Sequence, residues 1–355
     1  MNDLRSRIQE FVRPDAFDRE VRGQRDALLA ELAAWQAEHV PAFGRLVKSR
    51  GGRFDAGPDA WPALPTDVFR FTRVAAHDAS DDAAVFRTSG TTNGARGEHH
   101  FRHLYTYQRA VEVMAARALF VDGKRPLVML APMTIDAPDS SLSFMLEMFE
   151  ATFATEASWA WSDGALDLDA ARRALGEAAA PIGVCATSFA LVHLLDALDG
   201  LRLPLPAGSW VMQTGGFKGK SRTVDVFELR ASLAETFELP EHRIVSEYGM
   251  TELSSQLYGD ALVRGKLATD GVERLMAPPW VRVTPCDPDT LRPVAAGRTG
   301  VLRIDDLANV DSCCSIQTAD LGRLEGDRVI LLGRAPGATP RGCSLAIEEA
   351  MGQKR

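Results

Sequence analysis

Short apolar segments alternate with helical segments through the middle of the chain, and this alternation limits the fold more than any other feature. The apolar segments have the length of buried strands, and the segments between them repeat apolar residues at helical spacing. Strands are predicted at residues 127–131, 182–186, 210–213 and 243–245. Such strand–helix–strand units need right-handed crossovers, so they form a mostly parallel sheet with ligands at the carboxyl ends of its strands. The sequence therefore predicts the α/β class, with helices flanking the sheet.

The predicted helices fill the gaps between these strands. One begins near His103, one covers residues 144–148, two begin at the caps Asp169 and Ser188, and the last covers 224–237. Ser and Asp are frequent caps because their side chains accept a hydrogen bond from an unpaired backbone N–H.

Three segments are predicted to form the domains. Residues 1–80 form a helical N-terminal section packed on the core, with an amphipathic helix from about residue 15 to residue 40. Residues 81–277 form the α/β core, and residues 278–355 form a smaller β-rich subdomain with a short C-terminal tail. Strands of this subdomain are predicted at 280–283, 300–304, 315–318 and 329–332.

Composition excludes several classes of function. A net charge of −8 over 355 residues gives no electrostatic footprint for nucleic acid. We expect no secretory signal and no membrane span, because no apolar run has the required length. Five cysteines without paired metal-ligand spacing argue against a disulfide framework and against structural zinc. The sequence thus predicts a cytoplasmic protein that acts on small molecules or on another protein.

The segment 88–97, Thr-Ser-Gly-Thr-Thr-Asn-Gly-Ala-Arg-Gly, lies between a short predicted strand at 83–86 and the helix near His103. Its glycines let the backbone approach an anion, and its hydroxyls can donate to phosphate oxygens. The segment is therefore a candidate phosphate loop. A turn without a ligand explains the same composition.

Three separated motifs resemble those of the adenylate-forming superfamily, which activates carboxylates as acyl-AMP. The first is the loop 88–97, the second is 248–252 (Tyr-Gly-Met-Thr-Glu), and the third is 318–322 (Thr-Ala-Asp-Leu-Gly). Their order and spacing fit the superfamily as well. The resemblance implies its α/β fold, with residues 81–277 as the nucleotide- and acyl-binding core.

A finer resemblance is to the LuxE family, the acyl-protein synthetases of bacterial luminescence. It rests on 213–219 (Gln-Thr-Gly-Gly-Phe-Lys-Gly), 246–256 (Ser-Glu-Tyr-Gly-Met-Thr-Glu-Leu-Ser-Ser-Gln), 306–309 (Asp-Leu-Ala-Asn) and 341–345 (Arg-Gly-Cys-Ser-Leu). The resemblance covers most of the chain after about residue 80.

The resemblance implies ATP and Mg²⁺ as cofactors and assigns roles to individual residues. When a carboxylate attacks the α-phosphate of ATP, charge develops on phosphorus, so catalysis is chiefly positioning and electrostatic stabilisation. Thr251 would hydrogen-bond the α-phosphate, and Glu252 would bind Mg²⁺. The residues implied around the β- and γ-phosphates are Thr88, Ser89, Gly90, Thr91, Thr92 and Gly94, with Arg96 supplying positive charge.

The nucleoside is implied to contact a second set of residues. Asp320 would accept both ribose hydroxyls, because a carboxylate has two acceptor oxygens. Tyr248 would stack on adenine. The remaining nucleotide-binding residues implied are Gly215 and Gly216, which leave room for the ring, together with Glu247, Gly249, Met250 and Arg334. Taken alone, Glu252 could instead cap a helix and Asp320 could be a turn residue.

The C-terminal residues depart from the superfamily pattern. Arg334 corresponds to the segment before a hinge to a small mobile domain that carries a catalytic lysine, and residues 335–355 are too few to form that domain. Another cation could serve instead, and the local candidates are Lys218, Lys220 and Arg222. These three residues could equally form a solvated basic turn.

Cys343 is the candidate acyl acceptor. It follows Arg341 in a tail expected to be mobile, and a neighbouring guanidinium favours the thiolate. In LuxE-like proteins a cysteine near the C-terminus takes the acyl group and passes it to a reductase, although Cys343 could also be an ordinary exposed thiol. The cysteines predicted to be structural are Cys185, Cys286, Cys313 and Cys314.

Two further groups have open interpretations. His99, His100 and His103 could form a metal site but fit a polar pocket wall better, because adjacent histidines cannot easily share one face; His100 could orient a carboxylate or phosphate. Residues 136–145 could line the acyl pocket or simply begin a helix.

The sequence therefore predicts an acyl-adenylate-forming enzyme that activates a carboxylic acid, expected to be a fatty acid, and transfers it to a thiol. A reductase or a carrier protein is the expected partner. Two alternatives remain: transfer to an external acceptor such as coenzyme A, a carrier protein, an amine or an alcohol, and an ATP- or acyl-AMP-binding subunit without turnover.

Overall fold

The computed structural model describes residues 1–89, 95–215, 225–335 and 341–352, with the backbone alone for 341–345. The helices are α1 (Asn2–Phe11), α2 (Arg22–His39), α3 (Pro41–Arg50), α4 (Val68–Phe71), α5 (Tyr105–Ala118), α6 (Ser141–Phe153), α7 (Leu168–Gly176), α8 (Ser188–Leu198), α9 (Val226–Phe237), α10 (Ala261–Arg264) and α11 (Arg341–Met351). The strands are β1 (Leu64–Pro65), β2 (Ala84–Arg87), β3 (Glu98–Phe101), β4 (Arg125–Leu130), β5 (Ala154–Trp159), β6 (Trp161–Ser162), β7 (Ala165–Leu166), β8 (Gly183–Thr187), β9 (Trp210–Thr214), β10 (Ile244–Tyr248), β11 (Leu257–Gly259), β12 (Leu275–Met276), β13 (Val281–Cys286), β14 (Gly300–Asp306), β15 (Ser315–Glu325) and β16 (Arg328–Arg334).

The described residues form two compact units. Unit 1 comprises Met1–Val113, Met250–Gln256 and Met276–Arg355, and unit 2 comprises Met114–Gly249 and Leu257–Leu275. The N-terminal helices and the β-rich residues after 278 therefore share unit 1. The division of the chain at residues 80 and 277 stays a prediction.

Unit 2 contains the parallel sheet. Its strands lie in the order β5–β4–β8–β9–β10, each parallel to its neighbour, and β11 is antiparallel to β10. The prediction of an α/β fold with a mostly parallel sheet is confirmed. Leucines of α8 and α9, such as Leu194 and Leu233, pack with buried strand residues such as Val184 and Val211. Burying each of these side chains contributes roughly 1.5–3 kcal/mol, so the apolar faces hold the helices on the sheet.

The predicted helix caps were wrong by one or two residues. The cap of α7 is Asp167, whose carboxylate accepts from Ala170 N at 2.9 Å. The cap of α8 is Thr187, and Ser188 is the first helical residue. A cap accepts a hydrogen bond from an N–H two or three residues later, and the periodicity of apolar residues does not determine that position to within one residue.

Unit 1 contains the antiparallel β-rich region. The strands β13, β14, β15 and β16 pair in that order, and β1 lies parallel to β15. The four predicted strands exist and are longer than predicted, so β15 includes Asp320. A register shift between Asp320 and Gly322 marks a bulge in this strand.

The ends of the chain differ from the prediction. The N-terminal section has three α-helices before residue 51, and the second begins at Arg22 rather than near residue 15. Within the segment predicted to be a mobile tail, Arg341–Met351 forms α11, which packs on α3. Arg50 forms an ion pair with Glu349, and Arg45 Nε donates to the carbonyl of Ala350. These contacts join α3 and α11 within unit 1.

The candidate phosphate loop begins and ends in a hairpin. β2 and β3 are antiparallel, with Phe86 opposite His99. The strand β3 was not predicted, because four residues beginning Glu-His-His are too short and too polar to show strand periodicity.

Candidate functional site

Thr88 and Gly97 close the neck of the candidate phosphate loop. Thr88 N donates to Gly97 O, and Gly97 N donates to Thr88 Oγ1, both at 2.9 Å. The predicted phosphate ligands Gly90, Thr91, Thr92 and Gly94 lie outside the described residues, whereas Ser89 is exposed beside the neck. The hairpin therefore fixes both ends of the loop.

Arg96 lies at this neck and is exposed. Its Nε donates to the carbonyl of Thr88 at 2.6 Å, and a terminal nitrogen donates to the carbonyl of Arg87 at 3.2 Å. Both bonds are made to main-chain carbonyls at the end of the strand that leads into the loop. The side chain thus reinforces the end of β2.

Glu252 lies beside the loop neck. Gly97 is buried, and a Cβ added to it would stand 3.3 Å from Glu252 Oε1 and 3.1 Å from Thr88 Cγ2. Only glycine leaves this space without displacing a neighbour. Unit 1 therefore brings together the neck of the candidate phosphate loop and the predicted metal ligand, although Gly97 and Glu252 are more than 150 positions apart in the sequence.

His99 binds the backbone of the predicted α-phosphate ligand. Its Nδ1 donates to the carbonyl of Thr251 at 2.7 Å, and its Nε2 accepts from Ser312 Oγ at 2.8 Å. Burial lowers the pKa of His99 to about 4, against a smaller opposing effect of the Thr251 carbonyl. The imidazole is therefore neutral near pH 7, with its proton on Nδ1.

Asn309 binds the same backbone one residue further on. Its Nδ2 donates to the carbonyl of Glu252 at 2.9 Å and to that of Cys313 at 3.0 Å, and its Oδ1 accepts from Ser254 N at 2.7 Å. Both amide hydrogens and the carbonyl oxygen are thus used, and the side chain is fully buried. The amide has one orientation, because a flip would set its oxygen against two carbonyls.

Asp306 completes this set of contacts. Its carboxylate accepts from Ser255 Oγ and Ala308 N at 2.8 Å and from Ser254 N at 3.2 Å. Trp280 Nε1 donates to Ser255 Oγ at 2.9 Å. Burial raises the pKa of Asp306 to about 6, although these donors favour the carboxylate.

Asp306 and Asn309 belong to a motif to which sequence reasoning assigned no role, and His99 was predicted only as part of a pocket wall. In the structure all three hold the segment Met250–Gln256. The 306–309 motif could have indicated that these residues matter. The sequence does not show which groups their side chains bond.

Asp320 and Arg334 lie opposite each other on β15 and β16. Directly opposed residues of an antiparallel pair project from the same face of the sheet. Asp320 is half-buried and Arg334 is exposed. Asp320 N donates to Thr318 Oγ1 at 3.1 Å, so the backbone just before the bulge is bonded within its own strand. Asp320, the predicted ribose ligand, and Arg334, the predicted nucleotide-binding arginine, are therefore neighbours in unit 1.

Thr214 and Glu247 lie opposite each other in unit 2, at the carboxyl ends of β9 and β10. Thr214 Oγ1 donates to the carboxyl group of Glu247. Burial raises the pKa of Glu247 to about 7, and the Thr214 hydroxyl opposes this effect. The Glu247 carboxyl group is therefore about half protonated near neutral pH.

The residues next to this pair are those predicted to contact the adenine. Gly215 follows β9 with φ of +75°, a conformation that L side chains rarely adopt, and it is exposed. Tyr248 ends β10 and is half-buried. Gly249 and Met250 follow it and are also half-buried, whereas Gly216 lies outside the described residues.

The three histidines after the loop do not converge. His100 Nδ1 lies 2.7 Å from an Arg73 nitrogen and 3.0 Å from Asp82 Oδ2, whereas His103 N donates to Asp311. In the ranges that the structure describes, no group of three His, Cys, Asp or Glu residues is arranged to hold a metal ion. Mg²⁺ needs no such group, because it is commonly bound by one or two carboxylates together with phosphates and waters. The Glu252 carboxylate beside the loop neck fits that mode of binding.

Four cysteines are buried free thiols: Cys185, Cys286, Cys313 and Cys314. Burial raises the pKa of Cys286 to about 11 and that of Cys313 to about 12, so neither is a thiolate near pH 7. Cys343 lies in α11, but its side chain is not described. The candidate cations Lys218, Lys220 and Arg222 lie outside the described ranges.

No described helix is long and apolar enough to cross a membrane.

The chain matches the family described as "Acyl-protein synthetase, LuxE" over residues 53–352. Among curated proteins, the "long-chain-fatty-acid–luciferin-component ligase" of Vibrio harveyi is 30% identical over 155 residues, which cover 41% of this chain and 38% of that protein. The protein of the same name from Aliivibrio fischeri is 22% identical over 309 residues, covering 81% of this chain and 78% of that protein.

Solved structures of adenylate-forming enzymes share the fold. A 2-hydroxyisobutyryl-CoA ligase in complex with 2-HIB-AMP and CoA superposes with a TM-score of 0.64 at 15% identity, over 90% of this chain and 77% of that one. ATP-bound MatB from Rhodopseudomonas palustris gives a TM-score of 0.52 at 15% identity, over 73% of this chain. The match spans 49% of the MatB chain, about half its length. The predicted superfamily fold is thus confirmed.

Proposed function

Because the chain belongs to the LuxE acyl-protein synthetase family, a family of acyl-adenylate-forming ligases, we propose that it activates a fatty acid as acyl-AMP, using ATP and Mg²⁺. One observation supports this most directly: the Glu252 carboxylate lies beside Gly97, at the neck of the candidate phosphate loop. A carboxylate beside a glycine- and hydroxyl-rich loop is the combination that a magnesium–phosphate complex requires.

In the proposed reaction, an oxygen of the substrate carboxylate attacks the α-phosphorus of ATP. A new P–O bond forms, the bond between the α-phosphorus and the bridging oxygen breaks, and pyrophosphate leaves with that electron pair. No proton is transferred, so the protein needs no general base for this step. Its task is to align the two reactants and to stabilise charge on the phosphates.

Residues of unit 1 are proposed to perform this task. Ser89 and Thr88 at the loop neck, with the loop residues after them, hold the β- and γ-phosphates, and Thr251 donates to the α-phosphate. Glu252 holds Mg²⁺, which when bound offsets the charge of the pyrophosphate. Arg96, which is bonded at the neck to the carbonyls of Thr88 and Arg87, adds positive charge at this end of the nucleotide.

The nucleoside is proposed to contact the remaining predicted residues. Asp320 accepts the ribose hydroxyls, and the adjacent Arg334 adds a donor. Tyr248 stacks on the adenine, and the exposed Gly215 leaves the ring space. Glu247 holds the end of β9 through Thr214, which supports the backbone that leads to Gly215.

The fatty-acid substrate is supported by the names of the two curated relatives, both ligases of long-chain fatty acids. We propose that the acyl group then passes to the thiolate of Cys343. The sulfur attacks the acyl carbonyl carbon, a thioester forms, the C–O bond to AMP breaks, and AMP leaves. A reductase or carrier protein would then receive the acyl group, and coenzyme A, an amine or an alcohol are the competing acceptors.

Two assays test the proposal. Pyrophosphate release across a panel of acids of increasing chain length should exceed background only with ATP, Mg²⁺ and an accepted acid. If no acid gives release above background, the chain is a binding subunit and the proposed activity is wrong. Binding of ATP by calorimetry separates that outcome from a failure of the protein to fold.

The acceptor is tested with a labelled acid. Hydroxylamine-sensitive label should appear on the wild-type chain and on the Cys286→Ser control, whose buried thiol is protonated, but not on Cys343→Ser. Label that persists on Cys343→Ser would rule out this acceptor, and label found only on an added carrier or coenzyme would favour an external one.

A further inference from the structure

We propose that Asn309 and His99 are positioning residues that set the metal and phosphate contacts of Glu252 and Thr251 through the backbone. This inference rests on the proposed function and adds to it residues that are buried and cannot touch a substrate. We refer to His99, Asn309 and Ser312 as the polar clamp.

Two members of the polar clamp, His99 and Asn309, contact main-chain atoms of Met250–Gln256, which we refer to as the signature segment. His99 Nδ1 donates to the Thr251 carbonyl at 2.7 Å, and Asn309 Nδ2 donates to the Glu252 carbonyl at 2.9 Å. Asn309 Oδ1 accepts from Ser254 N at 2.7 Å. Three backbone groups within four residues are thus bonded to two side chains, which fixes the peptide planes on both sides of Glu252.

Neither side chain of this pair can act on a ligand directly. Both are fully buried, and their hydrogen bonds use both ring nitrogens of His99 and both polar side-chain atoms of Asn309. An influence on the reaction must therefore pass through Thr251 and Glu252. Partners of this kind, which orient a ligating group, typically change metal affinity about 10–100-fold when they are mutated.

His99 also connects the clamp to the phosphate loop. It lies on β3, two residues after Gly97, whose missing side chain makes room for Glu252 Oε1. The bond from His99 to Thr251 therefore fixes the position of the signature segment relative to β3, the strand that follows the loop. A change in the His99–Thr251 distance would move the loop neck relative to the carboxylate.

The first test compares Asn309→Ala with the matched control Ser315→Ala. Ser315 is also fully buried and polar, and it bonds Trp61, Asp305 and Arg303 rather than the signature segment. We expect Asn309→Ala to raise the Mg²⁺ concentration for half-maximal pyrophosphate release about 10–100-fold, with the KM for the acid unchanged. Ser315→Ala should lose a similar amount of thermal stability, but its Mg²⁺ concentration for half-maximal release should equal that of wild type.

A second readout does not depend on turnover. Electron paramagnetic resonance measures the affinity for Mn²⁺ in the presence of a non-hydrolysable ATP analogue. This affinity should be weaker in Asn309→Ala than in wild type, and unchanged in Ser315→Ala. Equal changes in both variants, in proportion to their loss of stability, would overturn the inference. Wild type that neither releases pyrophosphate nor binds Mn²⁺ with the analogue would overturn the proposed function instead.

A second pair of variants covers the case in which Asn309→Ala does not fold. His99→Leu removes the donor to the Thr251 carbonyl, whereas His99→Gln keeps an amide N–H that can reach it. We expect His99→Leu to weaken Mn²⁺ binding and His99→Gln to restore most of it. Equal binding in both variants would contradict a positioning role for His99.

Discussion

Gly97 lies against the carboxylate of Glu252, so close that a Cβ on Gly97 would stand 3.3 Å from Oε1. The same Cβ would stand 3.1 Å from Thr88 Cγ2, so an added methyl group would crowd both neighbours. The absence of a side chain at position 97 is therefore what lets the candidate metal ligand reach the loop neck.

Replacing Gly97 with Ala is expected to displace Glu252 or the loop neck by a few tenths of an ångström. Overpacking of this kind costs roughly 1–3 kcal/mol in stability. We expect kcat/KM for ATP to fall about tenfold, because misplaced catalytic groups lose alignment with the reactants. The control Gly23→Ala has nothing within 4 Å of the added Cβ and should keep full activity. Unchanged kinetics in Gly97→Ala would show that this contact does not matter for turnover.

Replacing Glu252 with Gln is expected to abolish Mg²⁺-dependent pyrophosphate release while the protein stays folded. A neutral amide oxygen is a much weaker ligand for Mg²⁺ than a carboxylate. Exposed Glu235, which pairs with Arg202 on the surface, provides the control Glu235→Gln. Circular dichroism checks that the variant is folded, and pyrophosphate release measured against Mg²⁺ concentration checks the role of Glu252. If that Mg²⁺ dependence is the same as in wild type, Glu252 is not a metal ligand.

Replacing Asp320 with Ala is expected to remove discrimination between ATP and 2′-deoxy-ATP. Loss of a hydrogen bond to a charged group costs about 1.5–3 kcal/mol, so wild type should bind ATP roughly tenfold or more tightly than the deoxy analogue. Asp327→Asn, an exposed change in the turn between β15 and β16, should preserve that preference. Calorimetry measures the Kd of each variant for ATP and for 2′-deoxy-ATP. If Asp320→Ala still prefers ATP as strongly as wild type, Asp320 does not contact the ribose.

Glu247 is expected to make stability fall as pH rises from about 4.5 to about 7. Its pKa is raised from the ordinary value of 4.5 to about 7, so in this range the folded chain keeps a proton that the unfolded chain has lost. Each pH unit therefore costs the folded state up to about 1.4 kcal/mol, and the effect levels off above pH 7. Glu247→Gln cannot titrate, so its free energy of unfolding should fall less over this range. Parallel urea curves for both proteins from pH 4.5 to 8 would contradict the raised pKa.

The strands of the parallel sheet could be predicted from sequence because their signal is local. A run such as 182–186 is apolar throughout, and burial of a strand on both faces requires that pattern wherever the chain places it. The caps Asp167 and Thr187 and the short strand β3 were missed, because each depends on one hydrogen bond or on a pairing partner rather than on a repeating pattern.

The sequence by itself determined the fold class, the family and the motifs at 88–97, 248–252 and 318–322, since each is contained in a continuous run of residues. Only the tertiary structure decided that Gly97 makes room for Glu252 and that His99 bonds the Thr251 carbonyl, a contact between residues 152 positions apart. Asn309 is the clearest case. Its motif can be recognised in the sequence, but the role of a buried amide depends on which carbonyl and amide groups it bonds. The fold brings these groups from a segment more than fifty residues away.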